Sequence, residues 1–162
     1  MAVRALRIVC ATLLAIGLAA GTAVACFGPK LFVGTGGEPR QELLYALVTL
    51  YVQEKTGVES ERVLLAPGET PAQALAAERV DLVFAAAPPG GTEPVLAIAG
   101  YPVLVSGPRP LNDLQFTTVL PALRKLAALL TTRDLQELES RIATGEKPLA
   151  AARRLCMERR WL

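Results

Sequence analysis

Two rhythms of apolar and polar positions organise the chain. Short apolar runs at Leu31–Gly34, Arg62–Ala66 and Asp81–Ala86 suit strands of a sheet covered on both faces. Between the first two runs, Leu43, Leu44, Leu47, Leu50 and Tyr51 recur at intervals of three and four, which predicts a helix over Pro39–Lys55 with one apolar face. Pro39 stands where a first helical residue needs no donor, and Gly57 stands where a helix ends in a left-handed residue. Thr70, Pro71 and Gln73 have the spacing of a capping box, so a short helix runs from there to about Glu78. Strand, helix, strand, helix, strand over residues 30–87 predicts an α/β fold with a parallel sheet and right-handed crossovers.

Beyond Ala87 the pattern changes. Residues 88–94, PPGGTEP, form a breaker cluster and hence a loop. Val95–Ala99 and Tyr101–Ser106 are apolar enough for one or two further strands, and Pro102 places the second at an edge or a bend. Pro108, Pro110 and Asn112 predict a turn. Helical periodicity then resumes at Pro121–Leu130, at Thr132–Thr144 capped by Thr131 with Asp134, and at Leu149–Arg159 opened by Pro148. Trp161 is expected to fold back onto the domain.

The first 25 residues read as a secretory signal. Arg4 and Arg7 precede an uncharged apolar run from Ile8 to Ala20, followed by small residues. That run is too short to span a bilayer comfortably. Ala23-Val24-Ala25-Cys26 resembles the lipobox of bacterial lipoproteins, in which the cysteine is acylated; the competing expectation is an ordinary cut near Ala25 and a Cys26–Cys156 disulfide. Removing Arg4 and Arg7 from the 17 basic residues leaves 15 against 15 acidic ones, so no basic face for nucleic acid is implied.

Catalytic chemistry is thinly supplied. The chain has no histidine, which removes the commonest general base and metal ligand. Cys156 lacks a base partner, and the carboxylates are expected on solvated helix faces. An enzyme is not expected, nor a cofactor or metal site. Gly34, Thr35, Gly36 and Gly37 form a turn leading into a helix, either as an ordinary strand-to-helix connection or as backbone donors for an anionic or polar group. A quaternary-ammonium cage needs several converging rings. Phe32, Tyr51 and Phe84 read as core, and Tyr45 and Tyr101 lie near no obvious partner, so no complete cage is expected.

One family resemblance sharpens this. VGTGGEPRQELLYALVTLYVQEKTGVESERVLLAPGETPAQALAAERVDLVFA resembles the opening of the OpuAC-type glycine betaine/choline-binding proteins of ABC importers, and ALRKLAALLTTRDLQELESRIATGEKPLAAARRLCMERRWL looks like that family's closing helices. The resemblance implies one lobe of a class II periplasmic-binding-protein clamp: a mainly parallel sheet of three to five strands flanked by helices, with a C-terminal helical segment. Only Ala87 to about Leu120 separates the two matches, whereas a lobe needs upwards of about 50 residues. Residues 26–162 are therefore expected to form a single lobe: an opening unit at 30–87, a short-circuited crossover at 88–120 and closing helices at 121–162.

The implied function is substrate binding without catalysis for an importer of glycine betaine, choline or a similar osmolyte. Thr35 carries over as a polar ligand contact, with Gly36, Gly37 and Tyr101 as further candidates; Asp81 matches a residue expected to be structural. Implied partners are a quaternary-ammonium ligand, an ABC permease and the membrane, reached through lipid on Cys26, in the periplasm or cell envelope. The alternative is an envelope lipoprotein that binds no small ligand and serves as a protein-interaction module.

Overall fold

The computed structural model describes residues 28–90 and 92–162. The expected signal, 1–25, and Cys26 lie outside the described residues. Five strands, β1 (Leu31–Thr35), β2 (Ser60–Leu64), β3 (Leu82–Ala85), β4 (Pro94–Leu96) and β5 (Val103–Ser106), make one sheet in the order β2-β1-β3-β5-β4. The helices are α1 (Pro39–Thr56), α2 (Pro71–Ala76), α3 (Arg109–Asn112), α4 (Val119–Leu129), α5 (Thr132–Ala143) and α6 (Pro148–Glu158), with a 3-10 turn at Leu114–Phe116.

β1 pairs in parallel with β2 and β3, whereas β5 runs antiparallel to both β3 and β4. The sheet is thus mixed, not mainly parallel. β4 runs in the same sense as β3 but lies beyond β5, and the short link over residues 97–102 returns β5 between them, antiparallel to both. β5 is also an interior strand, while β4 is the edge. Pro102 sits just ahead of β5, where its missing N–H costs no ladder bond.

Local signals account for the element ends. Pro39 opens α1, and Gly57 closes it with φ 73° and its N–H donating to the Gln53 carbonyl. Thr70 with Gln73 and Thr131 with Asp134 form complete capping boxes. β2 begins two residues earlier than its apolar run suggests, because Leu31 pairs with Ser60 and the β1 ladder sets the register. Gly34 and Thr35 belong to β1 and not to the turn. A Cβ on Gly34 would lie 2.9 Å from Val83 Cγ2, so glycine there lets β1 and β3 approach.

The two sheet faces are unequally covered. Helices α1, α4, α5 and α6 bury Leu31, Val33, Leu82, Phe84 and Leu104 in the main core, with Cys156 and Trp161 in the same cluster. The short α2 covers the other face, where Ala74, Leu75 and Val80 pack on Val83 and Val105. Trp161 folds back as expected, its N–H bonded to the Cys156 carbonyl. Cys156 is a fully buried free thiol; burial pushes its pKa up to about 11.

Two carboxylates depart from the solvated-face expectation. Asp81, only 4% exposed, accepts from the Phe32 N–H at 2.7 Å and from Arg109 Nε and Nη2 at 2.6 Å each. Arg109 also donates to the Lys30 carbonyl and lies over the Phe32 and Phe116 rings. This ties β1, β3 and α3 together, a structural task. Asp134, also 4% exposed, caps α5 and accepts from Arg159 beyond the end of α6.

Candidate functional site

From β1 the chain passes over α1 to β2, then returns through α2 to β3 on the opposite side of β1. The carboxyl ends of β1 and β3 therefore flank the point where strand order reverses, the usual place for a crevice in an open α/β sheet. A cleft of about 550 Å³ lies there, lined by the start of α1, Leu65, Phe84–Ala86, and Gly100, Tyr101 and Pro102 ahead of β5. Its size falls in the range of small-ligand sites.

Arg40, in the first turn of α1, dominates its chemistry. Its Nε donates to Glu139 Oε1 on α5 at 2.9 Å and its Nη1 to the Gly100 carbonyl at 2.8 Å. The guanidinium lies 4.9 Å from the Tyr101 ring centroid. The Arg40 side chain stays 55% exposed, so the pair with Glu139 contributes little stability. Its effect is to hold the guanidinium at the rim with Nε and Nη1 already engaged and its charge paired with Glu139, so a ligand carboxylate reaches it only through the remaining N–H groups.

Each sequence-expected residue has a definite place. Gly36 and Gly37 are exposed beside the cleft, and Gly37 takes φ 79°. The Gly36 N–H is not free for a ligand, because the buried Gln41 side chain accepts it through Oε1 at 2.5 Å. Thr35 is 0% exposed, its carbonyl accepts from the Leu65 N–H, and its buried Oγ1 has no hydrogen-bond partner. It lies beneath the surface and contacts nothing in the cleft as it stands.

Tyr101 does line the cleft. Its hydroxyl is buried without a well-formed hydrogen bond; burial first, and the Glu139 carboxylate second, push its pKa up. The expectation that Tyr45 and Tyr101 lack partners is corrected, since arginines cover both: Arg62 over Tyr45 at 4.4 Å and Arg40 over Tyr101. The other ring in the cleft wall, Phe84, is 1% exposed. No aromatic cage is assembled in the cleft among the described residues.

Comparison with protein-family models, curated proteins and solved structures gave no match.

Arg40 and Gln41 are the functional candidates that sequence reading passed over. The available signal was position: two long polar side chains, directly after the proline that opens α1, must stand beside the strand-to-helix turn. Among the described residues no cluster of three or more His, Cys, Asp or Glu side chains is arranged to hold a metal ion. No helix there is long and apolar enough to cross a membrane.

Proposed function

We propose that this chain is a non-catalytic binding lobe of the substrate-binding-protein type, serving an ABC importer of glycine betaine or a related zwitterionic osmolyte. The supporting observation is the cleft at the carboxyl ends of β1 and β3, with the Arg40 fork fixed at its rim. The sequence resemblance supplies the ligand class. The carboxylate end of a betaine complements Arg40, while its ammonium end meets Tyr101 only if Arg40 leaves the ring.

One lobe leaves such a ligand open to water on one side, so affinity is expected near the millimolar range, roughly −4 kcal/mol. Calorimetric titration of the secreted chain with glycine betaine, choline, carnitine and proline tests this. Glycine betaine, carnitine and proline, which carry carboxylates, should bind more tightly than choline, which has none. Absence of heat and of any thermal shift at millimolar ligand contradicts direct binding.

A second reading rests on the rim itself. Ala86 lines the cleft, and Ala66, Pro67, Ala87 and Pro88, which follow lining residues in sequence, are exposed with it, which leaves apolar positions that a protein partner could cover. In this reading the lobe docks on a permease or another envelope protein through that rim. Substituting Ala86 and Ala87 with glutamate should then abolish co-purification of the partner from native membranes, and unchanged co-purification contradicts it.

A further inference from the structure

A second concavity, of about 520 Å³, lies between the outer face of α1, the edge strand β2 and the start of α6. It shares no lining residue with the cleft. Tyr45 and Leu149 give it an apolar surface, and Leu149, in the first turn of α6, is 54% exposed. One wall is polar. Arg62 lies over the Tyr45 ring at 4.4 Å and pairs with Glu42 at 2.6 Å.

Two features of this groove are unspent within the fold. The Ser60 hydroxyl is buried and has no hydrogen-bond partner, an uncommon state for a polar side chain. Lys147, exposed at the lip, forms no ion pair among the described residues. With Glu42 offset by Arg62, the groove carries one uncompensated positive charge. An apolar body and a single anionic group complement it. Its volume fits a compact small molecule.

We propose that this groove is a second ligand site, taking a small amphipathic carboxylate whose apolar body lies along Tyr45 and Leu149 and whose anionic group pairs with Lys147. The site does not depend on the function proposed for the cleft.

The test is a fluorescence titration of the secreted chain with naphthalene-2-carboxylate. One saturable site is expected. Naphthalene-2-methanol, which lacks the charge, and the Lys147→Glu variant should each weaken binding by about tenfold, the effect of losing one ion pair in a partly dry site. Lys125→Glu, an equal change of charge on the exposed face of α4, should leave affinity within about twofold, since Lys125 does not line the groove and exposed charges are screened by salt. Glycine betaine should not displace the probe. The proposal is overturned if binding does not saturate, if Lys147→Glu and Lys125→Glu act alike, or if glycine betaine competes.

Discussion

Asp81 shows how much one buried carboxylate can organise. It receives one backbone and two guanidinium donors, and Asp81→Asn removes the charge that Arg109 requires while leaving the shape. The expected cost is about 2–3 kcal/mol, the scale of charge-assisted bonds in a buried setting, read as a lowered urea midpoint. The family resemblance, and no local pattern, marked Asp81 as structural in the sequence. Its partner was not legible, because Arg109 is 28 residues away and nothing local joins them.

Asp134 makes a pH-dependent contribution. Burial alone would raise its pKa, but the hydrogen bonds from Thr131 and Arg159 outweigh burial and lower it below the ordinary 3.8. The folded state therefore gains stability that is complete above that value and is lost as pH falls through the depressed one. Denaturant midpoints should drop below about pH 4, and Asp134→Asn should flatten part of that acid limb. Cys156 offers a simpler check. Buried, with its pKa pushed up to about 11, it should resist thiol reagents at pH 8 until the chain unfolds. Rapid labelling of the native protein would show that the thiol is not sealed in the core.

At the scale of elements, caps and breakers were the most readable part of the chain, since Thr70, Thr131, Pro39 and Gly57 each act through neighbours a few residues away. Pairing was less readable. The start of β2 is set by its ladder to β1, and the interior position of β5 by its ladder to β3. Gly34 belongs to the same class: it reads as the strand end where a glycine turn begins, yet its lack of a Cβ serves the contact with Val83 and Val80. Gly34→Ala should destabilise the fold by about 1–3 kcal/mol through overpacking. Thr131→Ala, which removes a capping side chain, should cost about 1 kcal/mol. Thermal unfolding separates the two, and a neutral Gly34→Ala would contradict the account of β1–β3 contact.

Across the whole molecule, the first three strands and their helices followed from the alternation of apolar runs. The reversal after β3 did not, because short apolar strands look alike whichever way they run. The cleft was legible in location, through the turn after β1, but not in chemistry: Arg40 acquires its role from Gly100, Tyr101 and Glu139, which the fold brings to it. What distinguishes this α/β fold is a crevice at the carboxyl ends of β1 and β3. The most direct test is a 1H–15N NMR titration of the labelled chain with glycine betaine. Saturating shifts confined to Gly36, Arg40, Ala86 and Tyr101, and abolished by Arg40→Ala, are the predicted result. Shifts that never saturate, or that gather elsewhere on the surface, would contradict the assignment of the cleft as the binding site.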